Sequence, residues 1–356
     1  MIAPELWVVP LTFVFSAWLT PRLAARAGSL LLDRPNERSL HSSPIPRTGG
    51  AAILASLVLG SLAQIGAEVL SGRASAGEAS FFGMLGAAAL PLAAVSFLDD
   101  WRGVPVAARL AVHFSVAAAV VGSLGLAVHR LPLPLAGELS LGVLALPLTV
   151  VALVWFVNLY NFMDGMDGLA GSMTVIGCGF LALAGALEAH GSLVRLSLLL
   201  AAATGGFLLH NLPPAKVFLG DAGSITLGFI VGVLALVGVR DEVFDPWSPA
   251  LAFSPFLFDA TYTFLRRLVW GNLPWRAHRD HLYQRAVLSG WSSPRTLRWS
   301  VPLMCLAGAS GLLYSSRGEA GRLLILLLWG LFYALVVGAV RRLESRIPPA
   351  KAAPIR

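Results

Sequence analysis

Apolar runs of about twenty residues recur along this chain of 356 residues with almost no charge inside them, and that repetition limits what it can fold into. A helix of that length rises about 30 Å, the thickness of a bilayer's hydrocarbon core. The composition leaves no soluble alternative: 56% of residues are hydrophobic and 13% charged, too few to coat a water-soluble domain. The runs lie near residues 2–26, 50–71, 80–98, 106–128, 141–157, 169–187, 193–212, 224–239, 247–268, 298–314 and 321–340. The sequence therefore predicts an all-α, polytopic integral membrane bundle of about eleven transmembrane helices. It predicts one membrane-embedded domain over residues 1–342 and a short basic tail over 343–356.

The net charge of +7 speaks to topology before it speaks to partners, because basic residues of membrane proteins collect in cytoplasmic loops. With the N-terminus outside and the C-terminus inside, 20 of the 26 Lys and Arg residues fall in or beside inside segments, and six fall outside. No basic stretch precedes the first run, and Arg22, Arg26, Arg34, Arg38 and Arg47 end or follow it, which argues against a cleaved signal. Nothing here suggests nucleic acid. Cys178 and Cys305 lie in apolar runs without a partner at metal-ligand spacing, so neither a disulfide framework nor a zinc site is expected.

Between the fifth and sixth runs stands NLYNFMDGMDGLAGS, Asn158 to Ser172. Asn158, Asn161, Asp164 and Asp167 recur every three residues, so any helical winding places amides and carboxylates near one line. Asp-Gly pairs also mark turns, and Asp167 could simply cap the next helix, but the two asparagines are not needed for that. The third run ends in FLDDWRG, which puts Asp99 and Asp100 at a helix C-terminus, where the macrodipole opposes carboxylates. A solvated turn or a nearby cation could each account for the pair. Before the eighth run, KVFLGDAGS places Asp221 between Gly220 and Gly223 at a helix N-terminus, either as an ordinary cap or beside a bound phosphate or metal.

Taken together these groups say more than any one of them. Asp99, Asp100, Asp164, Asp167 and Asp221 come from three loops on one side of the predicted topology. Buried at mid-bilayer they would cost roughly 3 kcal/mol each, so they belong at helix ends, in water or around cations. Oxygen ligands of this kind suit magnesium acting with substrate phosphates, and manganese is the alternative ion. The first inside loop adds His41, Arg47 and a Gly49-Gly50 pair. The largest adds HRDHLYQR, His278 to Arg285, in which His278, Arg279, His281 and Arg285 could contact a diphosphate or, more weakly signalled, a metal.

These stretches resemble the polyprenyl-phosphate N-acetylhexosamine-1-phosphate transferases, the glycosyltransferase family 4 enzymes that include the muropeptide translocase and the initiators of O-antigen and teichoic acid synthesis. The resemblance runs over almost the whole chain. Its specific parts are Asp99-Asp100, NxxNxxDGxDGLA at Asn158 to Ala170, FxGDxGS at Phe218 to Ser224, and the His-containing loop. It implies transfer of a sugar 1-phosphate from a UDP-N-acetylhexosamine to undecaprenyl phosphate with release of UMP and magnesium as cofactor. The expected setting is a bacterial inner (cytoplasmic) membrane among membrane lipids, with the active site on the cytoplasmic face. A homodimer is left open.

By motif, Asp221 looks like the metal ligand, Asp99 and Asp100 like the pair assigned to nucleophile and metal, and Phe218 like the ring that stacks on uracil. Asp164 and Asp167, with Asn158 and Asn161, fall in the nucleotide-proximal shell, and His41 near phosphate. Direct attack by the lipid phosphate and a covalent intermediate on an aspartate both remain open. The split histidines look more like the O-antigen-initiating branch, which lays the first sugar of a surface polysaccharide, than like the muropeptide translocase. That enzyme, the phospho-N-acetylmuramoyl-pentapeptide transferase of cell wall synthesis, is the alternative. A transporter is the remote one, since its coupling carboxylates belong near the midplane rather than at loop mouths.

Overall fold

The computed structural model of the chain describes residues 4–28, 31–33, 43–73, 75–273 and 278–346, without the side chains of Pro4, Glu5 and Asp100. His41, Arg34, Arg38 and the end of the predicted basic tail lie outside the described residues.

The described residues form thirteen α-helices and two small antiparallel ribbons. In order they are α1 (Val8–Ala25), β1 (Leu32–Asp33), β2 (Ile45–Pro46), α2 (Gly49–Leu70), α3 (Ala76–Arg102), α4 (Val106–Ser123), β3 (Arg130–Leu133), β4 (Gly137–Ser140), α5 (Ala145–Phe162) and α6 (Leu169–Leu187). Then follow α7 (Gly191–Asn211), α8 (Asp221–Arg240), α9 (Trp247–Ala252), α10 (Ser254–Val269), α11 (Leu282–Leu288), α12 (Ser293–Ser315) and α13 (Glu319–Glu344). The polytopic helical class is as the sequence predicts. Among the described residues nine helical segments are long and apolar enough to cross a membrane, two fewer than the eleven predicted runs.

Both differences have a local cause. The run near 247–268 is not one helix: it breaks at Phe253 into α9 and α10, with Pro255 in the first turn of α10. Proline fits there because the first N–H groups of a helix have no intrahelical acceptor. The run near 298–314 is a helix, α12, but it starts at Ser293 and takes Arg295 and Arg298 into its first turns, which dilutes its apolar character.

Helices α6 and α8 sit at the centre, with 72% and 78% of their spans buried, whereas α1, α4 and α13 bury 22% or less and face outward. Without water to drive helices together in a bilayer, close packing must do so, and small residues permit it. A Cβ on Gly228 of α8 would come within 2.7 Å of the Tyr160 side chain, and one on Gly232 within 2.6 Å of Leu153, so α5 lies directly against α8. At the end of the bundle where α2 and α8 begin, Gly50 and Gly223 meet backbone to backbone; a Cβ on Gly50 would lie 2.4 Å from the Cα of Gly223. The opposite end is closed by ion pairs, in which Arg195 of α7 joins Glu68 of α2 and Glu78 of α3.

Candidate active site

The crossing of α2 and α8 forces the loops before them together. Pro46 accepts from the Phe218 amide at 2.8 Å, and Gly49 and Gly50 donate back to the Phe218 and Leu219 carbonyls at 2.9 Å each. The segment leading into α2 is thereby stitched to the FLGD segment leading into α8. The Asp-Gly loop between α5 and α6 joins them: Asp167 accepts from the Ala215 amide at 2.9 Å, and Asn161 donates to the Ser224 hydroxyl at 3.0 Å. Asn211 bridges, accepting from Gly168 N at 3.0 Å and donating to the Val217 carbonyl at 2.9 Å. Gly168 and Gly220 take φ of 74° and 78°, a left-handed conformation that favours glycine, and each directs the chain into a helix.

A fourth segment docks on the same loop. The Tyr283 hydroxyl donates to the Phe162 carbonyl at 3.1 Å, which seats α11 on the end of α5. Its anchor is Asp259 of α10, 5% exposed. That carboxylate accepts from the amides of Leu282 at 2.8 Å and Tyr283 at 3.2 Å and from the Thr263 hydroxyl at 3.2 Å, and it lies 3.3 Å from His281 Nδ1. A carboxylate facing the first amides of a helix is favoured by charge as well as by hydrogen bonding.

Three of the five singled-out carboxylates share one electrostatic field. Burial, reinforced by Asp221, pushes the Asp164 carboxyl well above the usual carboxylate range; Arg47 acts against this, and Asp167 and Asp33 add to it. Asp33 was not singled out from the sequence. The β1–β2 ribbon pairs Asp33 with Ile45, and its side chain bonds Arg47, so it returns to the cluster from twelve residues upstream.

Asp99 stands in a different setting. It accepts from the Val104 amide at 2.7 Å and is paired with Arg109 of α4, so the helix-dipole conflict read from the sequence is compensated within the protein. The Asp100 side chain is outside the described residues. Asn158 donates to the Val154 carbonyl at 2.7 Å and lies 3.4 Å from His113 of α4.

The basic candidates separate likewise. His281 is 4% exposed and stacks between Phe162 and Tyr283, with ring centroids 6.0 and 5.9 Å away. His278 lies 5.1 Å from it, and burial, with His281 and Arg267 nearby, brings its pKa down to about 4, so it is neutral at physiological pH. Arg279, next to His278 in the chain, is half-buried. Arg285 is held within the protein: its guanidinium grips Glu344 of α13 at 2.6 and 2.5 Å, because α11 packs against the end of that helix.

Among the described residues no three His, Cys, Asp or Glu side chains stand at metal-ligand spacing. The chemistry of the donors nevertheless suits a hard dication, since Asp221 and Asp167 both repel the Asp164 carboxylate and all three offer only oxygen. Beside the loops an apolar groove of about 300 Å³ runs between α10, α11, α12 and α13, with Phe256, Phe258, Leu303 and Tyr333 among its walls and Asp259 and Tyr283 at its lining.

The model of glycosyl transferase family 4 matches residues 82–239. The chain is 31% identical over 302 residues, 84% of its length and 79% of the relative's, to a probable undecaprenyl-phosphate N-acetylglucosaminyl 1-phosphate transferase of Bacillus subtilis (strain 168). It is 30% identical over 340 residues, 85% of its length and 80% of the relative's, to the decaprenyl-phosphate N-acetylglucosaminephosphotransferase of Mycobacterium tuberculosis (strain ATCC 25618 / H37Rv). Similarity to a phospho-N-acetylmuramoyl-pentapeptide-transferase of Clostridium botulinum (strain Eklund 17B / Type B), 38% over 128 residues, spans 36% of this chain and 40% of that one.

Proposed function

The chain belongs to glycosyl transferase family 4, and on that premise we propose that it transfers N-acetylglucosamine 1-phosphate from its UDP-linked donor to undecaprenyl phosphate. An acceptor phosphate oxygen bonds to the sugar-bearing phosphorus as the bond from that phosphorus to UMP breaks. The product is the lipid-diphosphate-linked first sugar of a surface polysaccharide. The observation that carries this reading is the stitching of the FLGD segment, the Asp-Gly loop and the start of α2 into one site in which Asp221 and Asp167 repel Asp164. The relatives that match four-fifths of the chain are named for N-acetylglucosamine phosphate transfer, and the muramoyl-pentapeptide enzyme matches little more than a third.

Phe218, fixed at both its amide and its carbonyl, offers a half-buried ring for uracil. Asp221, with Asp164 beside it, would hold a magnesium ion. Such an ion, when bound, neutralises charge between the attacking and departing phosphates, the main obstacle when two anions react. Asp167 and Asn161 shape the site through their hydrogen bonds to Ala215 and Ser224. Arg47 and Arg279 bring positive charge to the donor's phosphates, with the neutral His278 as a hydrogen-bonding partner. Asp99 and Asp100 flank the acceptor's approach, and the apolar groove beside Tyr283 takes its first isoprene units.

We assign this site to the cytoplasmic side of a bacterial inner membrane, a reading that the basic asymmetry of the loops supports as to side. The test is UMP release by detergent-purified protein supplied with undecaprenyl phosphate, magnesium and either UDP-N-acetylglucosamine or UDP-N-acetylmuramoyl-pentapeptide. Release with the first donor alone is expected. Release with the pentapeptide donor alone would reverse the assignment.

A further inference from the structure

Where α10 and α13 end, at the margin of α11, guanidinium groups outnumber their acceptors. Arg266 lies in the last turn of α10, Arg341 in the last turn of α13, and Arg285 on α11. Tyr262 stands among them, accepting from Arg341 Nη2 at 3.3 Å, hydrogen-bonded to Arg285 and lying in the electrostatic surroundings of Arg266. Among the described residues two carboxylates serve the cluster: Glu344 is taken by Arg285, and Asp280 by Arg267.

The macrodipole favours cations at helix C-termini, which accounts for the position of Arg266 and Arg341 but not for what their neighbours lack. Nη1 of Arg266 is buried with no hydrogen-bond acceptor among the described residues, whereas Arg285, 6% exposed, has Tyr262 as well as Glu344 beside its guanidinium. Buried donors of a charged group are ordinarily paired, and an orphaned guanidinium nitrogen beside surplus positive charge suits an anion with several oxygens.

The surroundings specify what carries that anion. Arg266 packs over the ring of Trp270, 4.3 Å from its centroid, and Trp270 is 61% exposed, as an aromatic anchor at a bilayer interface would be. Around and below the cluster the outward surfaces are apolar: Leu265 and Leu268 on α10, Leu331 and Leu335 on α13. We propose that Arg266, Arg285 and Arg341 bind the phosphate of an anionic phospholipid, whose acyl chains lie along the exposed faces of α10 and α13. Basic pockets between helices at a membrane surface recognise lipid headgroups in this way. The site is separate from the carboxylate loops and does not depend on the reaction proposed for them.

The test titrates the full chain in detergent with phosphatidylglycerol or phosphatidylcholine of matched chains and reads lipid adducts by native mass spectrometry. Phosphatidylglycerol should bind more tightly, and the double variant Arg266→Gln, Arg341→Gln should weaken it about thirtyfold while leaving phosphatidylcholine binding unchanged. Should the double variant not fold, Arg341→Gln alone, at an exposed position, should weaken it about fivefold. Equal binding of the two lipids, or a phosphatidylglycerol adduct undiminished in the variants, would overturn the proposal. Displacement by inorganic phosphate would reduce the site to a simple anion site. Displacement by undecaprenyl phosphate would make it part of the acceptor's own path, and either result also defeats the lipid assignment.

Discussion

The Tyr283 hydroxyl occupies the space that a side chain at Gly165 would need: a Cβ there would lie 2.2 Å from that oxygen. The glycine after Asp164 is thus where the histidine-bearing segment docks on the Asp-Gly loop. Gly165→Ala should cost about 1–3 kcal/mol by overpacking and shift Asp164 enough to lower turnover. Tyr283→Phe removes the clashing atom, so the double variant should recover part of the lost stability. Thermal unfolding of the two single variants and the pair checks this; additive losses would mean that the two positions do not press on one another.

Asp259 should be as important as any residue the motifs point to. Asparagine there keeps an oxygen but turns an amide NH₂ toward the donors of Leu282, Tyr283 or Thr263, leaving at least one buried group unsatisfied. The expected loss is about 2–4 kcal/mol in stability. Because His281 loses its orienting carboxylate, kcat should fall further than KM rises. A variant with wild-type melting and wild-type kcat would show that Asp259 does not hold α11.

For Asp99 the structure reverses the sign of the expected stability effect. Read as a carboxylate set against a helix dipole, Asp99 predicts that Asp99→Asn stabilises the protein. With Arg109 paired to it and the Val104 amide donating, the same change removes two favourable partners and should destabilise by about 1 kcal/mol. The pair is partly exposed, which keeps that figure small. Arg109→Gln should have a similar effect, and a melting temperature that rises in either variant would restore the simpler dipole reading.

The difference between what the sequence conveyed and what it could not is one of range. Hydrophobic runs report membrane spans because length and composition decide them locally, and Asp-Gly or Gly-Asp-x-Gly punctuation reports turns because φ is decided locally. Arg109 lies ten residues beyond Asp99, across a helix start, and nothing in FLDDWRG says which cation will arrive. Asp33 joins the acidic cluster only because a two-residue ribbon brings it back to Ile45. Asp259 looks like a lone acid in an apolar run, and such an acid is itself a signal, because burying it in a bilayer demands a partner. Arg285 shows the same limit of range: nothing in its motif-bearing loop says that Glu344, fifty-nine residues on, will hold it.

The last prediction uses Asp164 as a meter of the repulsion in the acidic cluster. Its carboxyl is raised by burial and by Asp221, so the folded protein binds a proton there more tightly than the unfolded chain does. Stability therefore falls as pH rises from the ordinary carboxylate value through the raised one, because the folded state must then give up a proton it holds or bear an unfavourable charge. In metal-free buffer Asp164→Asn should melt above wild type at neutral pH, and the advantage should shrink as the pH is lowered and the wild-type carboxyl becomes neutral. Adding magnesium should raise the melting temperature of the wild type more than that of the variant, because the variant has lost one of the carboxylates whose repulsion a dication relieves. Parallel melting curves for the two proteins across the pH range, with and without magnesium, would show that Asp164 carries no such strain and is not part of a cation site.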